Sequence, residues 1–130
     1  MRFQAQQRFD AVPEAVRDAR SFLQAAFAGR VAPEVQSDMT LVVSELASNA
    51  VRHAQTSFAV NVAVNGHIRI EVEDGSPDPP APRTPSSEGG RGLLIIDVLC
   101  DRWGTDVRHE AKCVWCERDL PAEAAEERTS

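Results

Sequence analysis

Leu41-Val42-Val43-Ser44-Glu45-Leu46-Ala47-Ser48-Asn49-Ala50-Val51-Arg52-His53-Ala54 carries two superposed periodicities. Together with Val35 and Met39 upstream, Val42, Leu46 and Ala50 recur at steps of three and four, the spacing of an apolar helical stripe. Glu45, Asn49 and His53 recur at steps of four and fall on one adjoining face. The apolar stripe needs a core to pack against. A row of Glu, Asn and His beside that core asks for a second explanation.

Upstream, Pro33 and Glu34 suit the first turn of this helix, which is predicted to run to about Ala54. Before it, Pro13 and Glu14 open another helix. Val16, Ala19, Leu23 and Phe27 form its stripe and Gly29 ends it. Residues 2–9 are predicted to form an edge strand, with Phe3, Ala5, Gln7 and Phe9 on one face.

Downstream the period changes to two. Phe58, Val60, Val62 and Val64 alternate with small or polar residues, as do Ile68, Ile70, Val72 and Asp74 with Arg69, Glu71 and Glu73. Asn65-Gly66 marks the turn between them. A two-residue loop would send the two apolar rows to opposite faces, whereas a three-residue loop pairs Val64 with Ile68 and keeps them together. The odd loop is the expectation. Asp74 then ends a buried row, which is costly unless the carboxylate has a partner.

Residues 75–90 contain five prolines and read as a long loop or lid. The loop ends at Gly89-Gly90-Arg91-Gly92, directly before the apolar run Leu93–Leu99. A glycine-rich turn at a helix amino end exposes backbone N–H groups and a partial positive charge, the outline of an anion site. Trp103-Gly104 is expected to close that helix. Thr105–His109 and Lys112–Arg118 are expected to form a last hairpin, and residues 120–130 a solvated tail.

Whole-chain properties narrow the classes. With 130 residues, 42% of them hydrophobic, one domain with one core is expected, over residues 1–119. A net charge of −6 argues against a general nucleic-acid binder, which needs a basic face. No apolar run approaches the roughly 18 residues of a membrane span, and the first residues do not resemble a signal peptide, so a cytoplasmic location is expected. The three cysteines, Cys100, Cys113 and Cys116, cannot all pair within one chain and read as reduced, packed thiols. Cys113 and Cys116 mimic a CxxC pair, but their odd spacing in a strand points them to opposite faces.

Taken singly, Glu45/Asn49, Asp74-Gly75 and Gly90-Arg91-Gly92 each have an ordinary reading as a solvated face, a turn and a loop end. Their order and spacing carry a resemblance. Glu45–Ala54 resembles the N-box of the GHKL nucleotide-binding fold, found in gyrase and histidine-kinase ATPase domains. Asp74-Gly75-Ser76-Pro77 resembles its first glycine box, and Gly90-Arg91-Gly92-Leu93 its second. The short form is most similar to the stand-alone anti-sigma-factor serine/threonine kinases of actinobacteria. The resemblance implies an α+β two-layer sandwich, with a mixed, mainly antiparallel sheet carrying helices on one face.

It also implies roles. Asn49 would hold Mg²⁺ beside the ATP phosphates, and Glu45 would act as general base or orient the acceptor hydroxyl. Asp74, with Gly75 next to it, would accept from the adenine amino group. Gly90, Arg91, Gly92 and Leu93 would sit at the phosphates, under a lid made of residues 75–90. The implied partners are a sigma factor and an anti-sigma antagonist protein, and relatives form homodimers. Two departures stand out. Ser76 occupies a position where a glycine is usual, and Ala111-Lys112-Cys113 replaces a Gly-Lys-Thr, removing a hydroxyl. The competing expectations are an ATP-binding module that transfers nothing, the catalytic fragment of a two-component sensor (weakened because no dimerising hairpin precedes it), and a scaffold without ligand.

Overall fold

The register of the central hairpin follows the three-residue loop. In the computed structural model, Val64 lies opposite Ile68, Val62 opposite Ile70, Val60 opposite Val72 and Phe58 opposite Asp74. The loop closes with Asn65 N–H donating to His67 O at 2.9 Å, and Gly66 takes φ 77°, a conformation that side chains disfavour. The structure describes residues 2–75, 90–108 and 111–121, with the backbone alone for 90–93 and 108. The expected lid, apart from its ends, and the tail beyond residue 121 lie outside the described residues.

In chain order the elements are β1 (Phe3–Phe9), α1 (Glu14–Phe27), α2 (Pro33–Asn49), a π-helical turn (Ala50–Ala54), β2 (Phe58–Val64), β3 (His67–Asp74), α3 (Gly90–Leu99), β4 (Arg102–Arg108) and β5 (Ala111–Asp119). The strands pair antiparallel in the order β1-β2-β3-β5-β4. This is the expected α+β sandwich, with no parallel pair among the described residues. β1 is an edge strand, as expected.

The core lies between one sheet face and the helices. The stripe Val35, Met39, Val42, Leu46 and Ala50 is buried, as are Ala19, Leu23 and Phe27 of α1. They meet the inward row Ile68, Ile70 and Val72 of β3, itself flanked by Val60 and Val62. Each such side chain contributes about 1.5–3 kcal/mol on burial. An exposed ion pair contributes about 0–1 kcal/mol. The inward row therefore fixes the register far more firmly than the charges on the other face.

That other face is polar. Glu117 receives Arg69 at 2.8 Å and Arg102 at 2.9 Å, and Arg102 also meets Asp119 at 2.6 Å. Arg102 first, then Arg69, hold the Glu117 carboxyl below its usual range. A depressed carboxyl stabilises the fold above its unfolded pKa and loses that contribution as pH falls, so this network weakens in acid.

Trp115 lies on this face, with the Arg69 guanidinium 4.6 Å from its ring centroid and Gly104 opposite it on β4. Trp103 and Gly104 therefore belong to a strand rather than to the end of α3, which stops at Leu99. The reason is steric. A Cβ at Gly104 would stand 2.8 Å from Trp115 Cζ2, so the glycine makes room for the ring instead of capping a helix. Gly104→Ala is expected to cost about 1–3 kcal/mol by overpacking, read as a lower urea midpoint with an unchanged slope.

The run Leu93–Leu99, whose apolar residues read as a buried helix, is less buried than that reading implies. Ile96 is fully buried, but Leu94 and Val98 are 50% and 79% exposed. Asp97 is exposed with them, so this face points away from the core and the face carrying Ile96 and Cys100 meets it. Cys113 and Cys116 do face opposite ways: Cys116 joins the core cluster and Cys113 pairs across from Glu73. All three cysteines are free and buried. A hydrogen bond with Cys100, then burial, push the Cys116 thiol pKa up, so it stays protonated.

Candidate functional site

The site is assembled by chain connections at one end of the sandwich. α2 ends at Asn49. The next residues widen into a π turn, with Gln55 N–H donating to Ala50 O at 3.1 Å, five residues back. Gln55 then takes φ 58°, the left-handed region, and reverses the chain. Three residues later Phe58 begins β2 directly opposite Asp74. The Gly75 N–H donates to Thr56 Oγ1 at 2.8 Å, tying the end of β3 to this same connection. The end of the Asn49 helix and the Asp74-Gly75 strand end are thus held together.

α3 is oriented by Arg118. Its Nη1 donates to Asp38 Oδ2 and to Leu99 O, both at 3.0 Å. This fixes the carboxyl end of α3 beside the first half of α2. α3 packs against α2.

Glu45 and Asn49 are half-buried at adjacent turns of α2. His53 does not continue their row, and it is exposed. The wider π turn breaks the four-residue step that would have aligned it, since i→i+5 bonding shifts the following side chains around the axis. Ser44, beside Glu45, is structural: its hydroxyl donates to Thr40 O at 2.9 Å and accepts from Arg20.

Asp74 ends the inward row and is 5% exposed. Its register neighbours are Phe58 on β2 and Lys112 on β5. Lys112 Nζ lies 3.7 Å from Asp74 Oδ2, with the two side chains 6% and 3% exposed. Lys112 was not among the residues singled out from the sequence. Alternation back from Cys116 and Val114 was the available signal, because it places position 112 inward. The same parity puts Cys113 on the polar face, so the residue beside Asp74 is the lysine at 112 and not the thiol at 113. Of Gly90, Arg91, Gly92 and Leu93 the structure describes the backbone, as the first residues of α3.

Two surface hollows lie elsewhere. One, of about 320 Å³, is lined by residues of the α1 start including Pro13, Arg17 and Arg20, and another, of about 140 Å³, lies on the polar face over Asn61, Arg69 and Glu71. Neither includes Glu45, Asn49 or Asp74. No described helix is long and apolar enough to cross a membrane.

The geometry is thus an antiparallel sheet backed by helices, with the connection after α2 tied to the end of β3 through Thr56. The family model of the histidine kinase-like ATPase domain matches residues 9–117, and the chain belongs to that family. Membership implies ATP binding. The chain is similar to an uncharacterised protein of Streptomyces coelicolor, 31% identical over 85 residues, which cover 61% of this chain and 79% of the relative. Its fold is similar to the crystal structure of the RsbU and RsbW domains of Rv1364c from Mycobacterium tuberculosis, with a TM-score of 0.72 at 20% identity. That match covers 91% of this chain and 32% of the other, so the chain spans about a third of the solved one.

Proposed function

We propose that this chain is an ATP-dependent serine/threonine protein kinase of the anti-sigma-factor type. It phosphorylates a hydroxyl on a protein antagonist and holds a sigma factor by its surface. The observation that carries this reading is the joining of the Asn49 helix end to the Asp74-Gly75 strand end through Thr56, in a chain of the ATPase family.

The residues present fit the implied groups. Asn49 offers one neutral amide oxygen at a half-buried position. That suits Mg²⁺, which is commonly held by one or two protein oxygens with phosphates and water supplying the rest. Glu45, one turn earlier, is a carboxylate near that position and serves as general base or as an orienter of the acceptor hydroxyl. Asp74 is a buried acceptor for the adenine amino group. The backbone N–H groups of Gly90, Arg91, Gly92 and Leu93 belong to the first described turn of α3. They are the donors assigned to the phosphates. Bound ATP supplies the transferable phosphoryl group. Orientation and charge stabilisation are what the protein adds.

Phosphate transfer to a candidate antagonist tests the reading. The wild-type chain is expected to transfer label from ATP, and Glu45→Ala to lose about 10²–10⁴-fold in rate while binding ATP within about threefold of wild type. ATP binding without transfer by the wild-type chain would favour the alternative, an ATP-binding regulatory module. The half-buried Glu45, one turn from Asn49, supports the kinase over that module.

A further inference from the structure

Lys112 has no part in the roles above, yet register places it directly beside Asp74. Both side chains are more than nine-tenths buried, and their charges stand 3.7 Å apart. A buried ammonium is among the costliest groups to maintain, and a counter-ion is what makes it tolerable. At 3.7 Å the contact answers the charge without forming a short N–H···O hydrogen bond. The ammonium carries three donors, so it has donor capacity beyond this contact.

We infer that Lys112 is a specificity-determining residue of the base site: Asp74 accepts from the adenine amino group while Lys112 donates to the ring nitrogen next to it. The inference rests on the reading of Asp74 as the base acceptor. Its chemical logic is complementarity. The amino group of adenine is a donor, and the ring nitrogens flanking it, N1 on one side and N7 on the other, are acceptors. A carboxylate and an ammonium a few ångströms apart present the matching acceptor and donor, fixing the base at two points. Phe58, on the other side of Asp74 in the same inward row, keeps the carboxylate end of the site apolar, where each hydrogen bond counts for more. A carboxylate alone would hold only the amino group and leave the rotation of the base unset.

The test is an equilibrium titration of the full chain, with Mg²⁺, using ATP, 1-deaza-ATP and 7-deaza-ATP. The two analogues each lack one of the flanking ring nitrogens and keep the amino group. Wild type is expected to bind one of them about tenfold or more weakly than ATP, because the lysine donor is then left unpaired. In Lys112→Met that difference is expected to shrink to within about twofold. Should Lys112→Met fail to fold, Lys112→Gln, which keeps a donor without the charge, is expected to retain a measurable part of the discrimination. Equal affinity of wild type for all three nucleotides, or discrimination undiminished in Lys112→Met, would overturn the inference while leaving the kinase reading in place. Absence of ATP binding by wild type would instead overturn both.

Discussion

Asp74→Ala is expected to raise the Kd for ATP at least about a hundredfold and to lower stability by about 3 kcal/mol. The two effects have separate causes. The binding loss follows from removing the acceptor for the adenine amino group; a site built to hydrogen-bond a group discriminates steeply when the partner is missing. The stability loss follows from Lys112. Its side chain is 6% exposed and pairs with Asp74 at 3.7 Å, and removing one member of a buried ion pair costs about 3–5 kcal/mol because the other charge is stranded. For a chain of this size that corresponds to a fall in Tm of about 10 °C. The double variant Asp74→Leu, Lys112→Met separates the causes. It removes both charges and is expected to recover most of the stability, yet to bind ATP no better than Asp74→Ala. Chemical denaturation and calorimetric titration read the two quantities. Recovery of ATP binding along with stability would mean that the base is not held at Asp74.

Asn49→Ala is expected to abolish phosphoryl transfer and to make ATP affinity insensitive to Mg²⁺. On the proposed reading its amide oxygen is the protein's own ligand to the metal. Without it the cation rests on phosphate and water alone, and its contribution to affinity, about tenfold or more on the same reading, disappears. Asn49 is half-buried at the end of α2, so the substitution removes little packing and the fold is expected to stay within about 1 kcal/mol of wild type. That contrast with Asp74 is itself informative: one site residue carries structure as well as binding, and the other only binding. Unchanged Mg²⁺ dependence in Asn49→Ala would remove it from the metal site.

The fold was legible where burial imposed a period. The α2 stripe and the β2–β3 rows could be read because each position faces either core or solvent, and a one-residue slip would expose the whole row. Parity alone gave the Val64–Ile68 pairing and placed Asp74 inside. Legibility failed where the sequence carried no period. Leu93–Leu99 is apolar except for Asp97, and that single charge, three residues after Leu94 and next to Val98, is the only mark of the face that stays exposed. Gly104 looked like a helix stop because glycine signals a break locally, while its role is set by Trp115 on another strand. At the site, Glu45, Asn49 and Asp74 were visible as polar residues attached to apolar rows. His53 was misplaced with them, since a π turn leaves no mark in the spacing of side chains. Lys112 is harder to read, because the departures from Gly-Lys-Thr lie on either side of it at 111 and 113, although the two-residue alternation of β5 assigns the inward place to 112.

Amide chemical shifts of the labelled chain, followed during titration with a non-hydrolysable ATP analogue and Mg²⁺, test the central claim most directly. The account predicts that the largest changes fall together on Glu45–Asn49, on Asp74-Gly75 with Lys112, and on Gly90–Leu93, all with one binding constant. Shifts gathered instead at the hollow beside Pro13, Arg17 and Arg20 or on the polar sheet face, or no shifts at millimolar nucleotide, would contradict it.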